Sequence, residues 1–252
     1  MSASVAHCTA QAFFSLGMRG YRGCSALAAV SKKPELGSAQ APSVLSRMMQ
    51  PCDTAMSKRD AAELLPEGAA YIVADTETSA LNGYVLQLAY AVYDREHVKL
   101  CAYNKLLRLP PGVSISWGAF KVHKISKKRV DRCGVGALAE LRKFIKLVDA
   151  IRRVGGRAVF HNAQFDCAAV VRTVARLGGK ETLCTADTFC TYRRSRGRVP
   201  VRGKNGKLKG ASNTLLYEYF FHEMPRGDLH DAAVDIGVTA ASYAEGCRRK
   251  WW

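Results

Sequence analysis

The sequence predicts an α/β fold built on a mixed sheet. Three observations carry that prediction. Apolar runs rich in β-branched and aromatic residues stand close together between residues 69 and 107, with connections as short as Arg95-Glu96, which points to an antiparallel meander. Downstream, segments of helical periodicity alternate with short apolar runs, the pattern of strands joined by helices. The chain shows no internal repeat and no run of 18 apolar residues, so no membrane-spanning helix is expected.

Residues 1–60 differ from the rest. They are rich in Ala and Ser, and the first fifty carry Arg19, Arg22, Lys32, Lys33 and Arg47 against one acid, Glu35. Basic, Ser-rich and acid-poor is the composition of an organellar transit peptide; a disordered tail or a misassigned start codon fits it as well. The chain is therefore divided into an N-terminal extension, 1–60, and a folded domain, 61–252. The domain opens with strands over 69–76, 84–94 and 97–107. Pro110-Pro111-Gly112 closes this half, and one or two helical turns follow over 116–125. A basic cluster comes next: Lys121, Lys124, Lys127, Lys128, Arg129 and Arg132.

Leu138, Leu141, Ile145, Val148 and Ile151 recur at three- and four-residue steps, so 135–154 is a helix, stopped by Gly155-Gly156. Residues 157–160 form a buried strand. A helix over 163–177 is capped by Asn162 and stopped by Gly178-Gly179. Residues 182–186 read as the fifth strand, and 188–193 begin a helix. A loop over 192–210 holds eight basic residues, four glycines and no acid. Residues 213–223 are helical and aromatic. The last helix starts near Asp231 and runs to Gly246, with Arg248, Arg249 and Lys250 where the helix dipole favours cations.

Charge narrows the function classes. Lys+Arg 38 against Asp+Glu 21 gives a net +17, and residues 61–252 hold 31 of those bases and 18 of those acids. A folded part this basic suggests a polyanionic partner, nucleic acid first, or a place in an organellar ribosome. Nine cysteines without a Cys-x-x-Cys pair argue against a zinc ribbon and a secreted disulfide framework. An intracellular, reducing compartment is expected, and the cysteines, Cys167 among them, are read as small core hydrophobes.

The chemistry begins where the first strand ends. Tyr71-Ile72-Val73-Ala74 runs into Asp75-Thr76-Glu77-Thr78. Period 2 puts Asp75 and Glu77 on one face. Two adjacent carboxylates repel, and a divalent cation relieves that repulsion through oxygen coordination. A lone Asp-x-Glu is more often just a strand entering an acidic loop. Asp166 falls in the first turn of the helix after the fourth strand, where alone it would complement the dipole. His230 and Asp235 flank the start of the last helix. Five positions on a straight helix differ by about 140°, so both reach one site only if His230 precedes the helix and Asp235 lies on its second turn.

Together these residues resemble the DEDDh 3′–5′ exonucleases, the superfamily of proofreading subunits, RNase T and the TREX-type nucleases. The matching segments are Asp75-Thr76-Glu77-Thr78-Ser79-Ala80-Leu81, Phe160-His161-Asn162-Ala163-Gln164-Phe165-Asp166 and His230-Asp231-Ala232-Ala233-Val234-Asp235. Gln87-Leu88-Ala89, Val122-His123-Lys124-Ile125 and Asp187-Thr188 agree in order, and the match spans residues 70–243. Ala80 and Lys124 depart from the family, which often has Gly at both places. The resemblance implies an RNase H-like fold, a mixed five-stranded sheet flanked by helices. It implies two Mg²⁺ or Mn²⁺ ions held by Asp75, Glu77, Asp166 and Asp235, with Asp75 bridging and His230 as general base. Thr78 and Leu81 resemble residues that touch the terminal nucleotide, whereas His123 and His161 are read as structural. The expected partner is nucleic acid with a free 3′ end, DNA favoured, cut to nucleoside monophosphates, as in proofreading or repair. A short-RNA exoribonuclease and a non-catalytic binding member of the fold are the alternatives. Arg196, Arg198, Arg202 and Lys204 in the basic loop are expected to clamp the phosphate backbone.

Overall fold

The computed structural model describes residues 56–252. The transit-peptide expectation thus falls almost wholly outside the described residues. The first element, α1 (Lys58–Glu63), is started by a capping box in which Ser57 and Asp60 bond each other's backbone N–H. It straddles residue 60, with Ala61 fully buried.

β1 (Tyr71–Thr78), β2 (Val85–Tyr93) and β3 (Lys99–Leu106) form the antiparallel meander that the short connections predict. β4 (Arg157–Phe160) pairs parallel to β1 on its other side, and β5 (Thr188–Cys190) parallel to β4, giving the order β3-β2-β1-β4-β5. The helices are α2 (Trp117–His123), α3 (Lys127–Cys133), α4 (Ala137–Arg153), α5 (Ala163–Arg176), α6 (Thr191–Ser195), α7 (Asn213–Phe221) and α8 (Ala232–Arg248).

Alternation along β1 sorts the core. Ile72 and Ala74 face α4 and α5, packing with Leu141, Phe144, Val148, Val170 and Val174. Tyr71 and Val73 face α8, packing with Ile236, Ala240 and Tyr243. Each fully buried Leu, Ile, Val or Phe contributes about 1.5–3 kcal/mol. The turn from α4 into β4 needs its glycines: Gly155 has φ 86°, and a Cβ on Gly156 would stand 2.4 Å from the Ala70 carbonyl. Among the described residues no helix is long and apolar enough to cross a membrane.

The structure corrects several expectations. The fifth strand is residues 188–190, not 182–186. Leu183 and Cys184 bury their side chains, but the ladder to β4 runs through Thr188, Phe189 and Cys190. The helix expected from 188 therefore starts only at Thr191. Asp187 and Thr188 open this strand instead of following it, and Asp187 pairs with Arg152 at 2.5 Å. The basic cluster contains a helix, α3, capped by Ser126 and ended at Gly134, with Val130 as its only buried residue. One buried residue leaves too little periodicity to read. Asn162 stands at the N-cap of α5 but in the left-handed region, φ 67°, without a side-chain cap bond. Cys101 and Cys133 are exposed, on edge strand β3 and at the end of α3, while Cys167, Cys184 and Cys190 are buried as expected.

Candidate active site

The parallel pairing of β1 and β4 brings the two strand ends together. Phe160, last in β4, lies opposite Ala74, so the turn into α5 opens beside Asp75. Period 2 then does two things. Asp75 and Glu77 share the face of Val73 and look toward α8. Thr76 looks the other way, where its N–H and its Oγ1 both donate to Asp166 Oδ1, at 3.0 and 2.8 Å. α8 supplies Asp235 in its first turn. Carboxylate oxygens of Asp75, Glu77 and Asp235 all lie within 4.8 Å of one another. Two segments far apart in sequence thus bring three carboxylates together, with Asp166 of a third tied to β1 through Thr76.

α8 is held there by a buried amide that sequence reading flags only as part of a secondary signal. Gln87, 1% exposed, sits opposite Glu77 in the ladder. Its Nε2 donates to Asp231 Oδ1 at 3.1 Å and to Asn104 Oδ1 at 3.0 Å, and its Oε1 accepts the Ala232 N–H at 3.4 Å. Asp231 caps α8 through the Ala233 N–H at 2.9 Å. Asn213 on α7 steadies the same turn from its far side, donating to the Asp235 carbonyl at 3.2 Å and accepting from Thr239 Oγ1 at 3.1 Å. Neither residue carries a sequence pattern of its own, because a buried amide is distinguished only by its partners.

His230 precedes α8, as the geometry requires, and is exposed. Its φ is 69°, a conformation rare outside glycine and frequent at functional sites. Its backbone N–H donates to Asp235 Oδ2 at 3.0 Å. Asp235 falls in the first turn of α8, not the second.

The site's electrostatics follow from crowding. Burial, then the nearby Asp166, Glu77 and Asp235 carboxylates, push Asp75 well above the usual carboxylate range. Burial first, then Asp235 and Asp166, raise Glu77 to about 8. Burial raises Asp166 to about 7 against the opposing pull of its two Thr76 bonds. Burial also raises Asp235, with His230 opposing. Four acids crowded so that each resists ionising make a setting whose repulsion a cation would relieve.

After Glu77 the ladder slips by one residue, and a tight loop leads into β2. Ser79 closes it, its N–H donating to the Tyr84 carbonyl at 2.8 Å and its Oγ accepting the Tyr84 N–H at 3.0 Å. A Cβ on Gly83 would stand 2.4 Å from Ala80 N, so only glycine fits. Leu81 is 77% exposed at the tip of this loop, whereas Thr78 is buried. His123 is buried and accepts the Ile125 N–H on Nδ1 at 2.9 Å, while its Nε2 has no hydrogen-bond partner among the described residues; burial lowers its pKa against the opposing pull of the Thr78 backbone. His161 bonds Thr191 Oγ1 at 2.9 Å, and burial lowers it to about 4. Lys124, at the departure from the family pattern, ends α2 with φ 57°. A lysine there costs about 1–2 kcal/mol that glycine would not.

The basic loop folds on itself and is not a simple flexible strap. Its first residues are α6. Arg202 Nη1 donates to the Gly206 carbonyl at 2.8 Å, Gly203 N–H to the Lys207 carbonyl at 2.9 Å, and Arg198 Nη1 to the Arg194 carbonyl at 2.8 Å. Val199 and Ala211 anchor it against Leu216 and Phe220 of α7. Arg196, Arg198, Arg202 and Lys204 are all exposed.

No protein-family model and no curated protein sequence matches the chain. Solved structures do. Exonuclease X in complex with 5′ overhanging duplex DNA is similar with a TM-score of 0.51 and 22% identity, over 72% of this chain and 93% of that one. E. coli Exonuclease I with a dA16 oligonucleotide gives 0.57 and 14%, over 72% of this chain and 41% of that one. The nuclease domain of 3′hExo, a DEDDh family member, bound to rAMP gives 0.50 and 14%, over 73% of this chain and 95% of that one. The chain has the mixed-sheet, RNase H-like fold that these exonucleases share.

Proposed function

We propose that the chain is a metal-dependent 3′–5′ exonuclease of the DEDDh type, which removes nucleotides from the 3′ end of single-stranded nucleic acid, DNA in preference. One observation carries this reading: Asp75, Glu77 and Asp235 converge within 4.8 Å, beside Asp166, on a fold that known exonucleases share. The donor set fits the metals such enzymes need. It is all oxygen, it comes from carboxylates that crowding leaves short of positive charge, and it suits Mg²⁺ or Mn²⁺ better than Zn²⁺.

Asp75, Glu77 and Asp235 would hold one ion, and Asp75 with Asp166 a second. When bound, the pair supplies activation of the attacking water and neutralisation of charge on the leaving oxygen. The chain's own groups do the rest. His230, exposed at the mouth of the site, accepts the proton of the attacking water on its imidazole. Thr76 aims Asp166, and Gln87 and Asn213 aim Asp235, so the acids are placed before substrate arrives. Leu81 presents an apolar tip to the terminal base, with Thr78 shaping the wall behind it.

The assay is direct. Single-stranded DNA and RNA, labelled so that both ends can be followed, should lose nucleotides from the 3′ end in Mg²⁺ and stay intact in EDTA, with DNA the faster. Loss from the 5′ end, or cutting in EDTA, would overturn the reading. Faster RNA turnover would favour the exoribonuclease alternative; 3′hExo, which has this fold, is described with rAMP.

The basic loop is proposed to grip phosphates upstream of the 3′ end. Replacing Arg196, Arg198, Arg202 and Lys204 together by Ala should weaken binding of long strands. Each cation–phosphate pair removed should flatten the slope of log affinity against log salt by about 0.7. Turnover of a dinucleotide, too short to reach the loop, should barely change. Equal losses on long and minimal substrates would show that the loop instead supports the core through α6 and α7.

A further inference from the structure

The carboxylate site leaves unused an aromatic step on α2. Trp117, the first residue of α2, is 67% exposed, although a side chain of this size is ordinarily mostly covered. Phe120 stacks against it, ring centroids 5.7 Å apart and planes 24° off parallel. Lys121 Nζ lies 5.3 Å from the indole centroid, within cation–π range. The two rings line an open cleft of about 530 Å³ whose other walls include Val113, Ile115 and Lys127. Val113 and Ile115 pack on the cluster of Leu86, Leu109 and Ile125, so the floor is continuous with the core and firm.

The rim is basic. Residues 116–132 hold Lys121, Lys124, Lys127, Lys128, Arg129 and Arg132 against one acid, Asp131, which pairs with Lys127 at 2.6 Å. The cleft is also joined to the carboxylate site. Ser116, the N-cap of α2, donates its N–H to the Ser79 carbonyl at 2.8 Å, two residues past Glu77. The last residue of α2, His123, lies near the Thr78 backbone. Both ends of this short helix therefore meet the loop that follows Glu77, and Trp117 stands one residue from the Ser116–Ser79 bond.

We propose that Trp117 and Phe120 form a stacking platform for a base of the bound strand, 5′ to the nucleotide being removed, with Lys121 and Lys124 taking the adjoining phosphates. An aromatic face beside cations is how single strands are held without regard to sequence. The charge of the rim selects a polyanion over an apolar protein segment. The inference rests on the exonuclease reading for the direction of the strand.

The test is equilibrium binding of a fluorescein-labelled 12-nucleotide DNA strand in EDTA, where nothing is cut. Trp117→Ala should lower affinity roughly tenfold or more, with the salt slope unchanged because every cation that meets a phosphate is still present. Trp117→Phe keeps an aromatic face and should retain most of the affinity. Lys121→Ala should flatten the salt slope by about 0.7. Thermal unfolding of each variant checks that the fold survives. Trp117→Ala binding within twofold of wild type overturns the platform, as does a loss that Trp117→Phe shares in full. The two readings fail separately. If wild type cuts the strand in Mg²⁺ but binds it independently of Trp117, only the platform falls. If Trp117-dependent binding survives in a chain that never cuts, only the activity falls. A chain that neither binds nor cuts overturns both.

Discussion

Asp75→Ala and Asp235→Ala should each reduce hydrolysis of a 3′-labelled strand by at least about 10²-fold, the order of loss typical when a charge-stabilising group is removed, while leaving the protein folded. In the metal-free state both should also make it more stable at pH 8. The reason is the crowding at the strand end. Without metal, Glu77 is raised to about 8 and Asp166 to about 7, while an unfolded chain ionises both near the usual carboxylate values. Between those limits the folded state binds more protons than the unfolded one, so stability falls as pH rises. It is fully present below about pH 4 and is lost progressively up to about pH 8. Each pKa unit corresponds to about 1.4 kcal/mol, and a domain of this size melts about 2–4 °C lower per kcal/mol. A clear fall in melting temperature between pH 5 and pH 8 is therefore expected in EDTA, reversed by Mg²⁺ and shallower in either variant. A flat melting temperature in EDTA would show that the acids are not forced together. Retention of more than a tenth of wild-type activity in either variant would sink the two-metal reading.

What is legible in the sequence follows the strength of local physics. β1, β2 and β3 show themselves because half-buried strands need alternating or continuous apolar runs, and short connections leave only antiparallel pairing. α4 and α5 show themselves through periodicity and glycine stops. β5 does not, because three residues make no pattern and the apolar Leu183-Cys184 run beside them competes. α3 does not, since its sole buried residue is Val130. At the site, period 2 pairs Asp75 with Glu77, while Asp166, His230 and Asp235 join them only through the resemblance to the DEDDh exonucleases. What holds them is not legible: Thr76 on Asp166, Gln87 on the cap of α8 and Asn213 behind Asp235 are hydrogen bonds across 90, 144 and 22 residues, and residue type alone announces none of them. The left-handed backbone at Lys124 and His230 is equally hidden, since it is set by the turn and not by the side chain. Trp117 is visible as a letter, but only the structure shows it left uncovered.

His230→Ala should slow hydrolysis by about 10²–10⁴-fold, the usual worth of a positioned general base, without loosening the carboxylate cluster. The distinction rests on which atom touches Asp235. That atom is the His230 backbone N–H, 3.0 Å from Asp235 Oδ2, and alanine keeps it. The defect should therefore appear in kcat, with the Mg²⁺ concentration for half-maximal rate little changed, whereas Asp235→Ala should alter both. Because the residue sits at φ 69°, His230→Gly relieves strain that alanine retains; equal rates in the two variants would show that the imidazole matters and the backbone does not. The pH profile gives the second readout. A general base works only in its unprotonated form, so wild-type activity should rise with pH and level off, and this limb should vanish in the variant. A variant that keeps the same limb places the base elsewhere. Exposure of His230 gives the third: added imidazole can reach the vacated position and should restore part of the rate, in proportion to the neutral imidazole present. Rescue that tracks the imidazolium instead would mean that the missing group donates a proton to the leaving oxygen, and the roles assigned at the mouth of the site would be reversed.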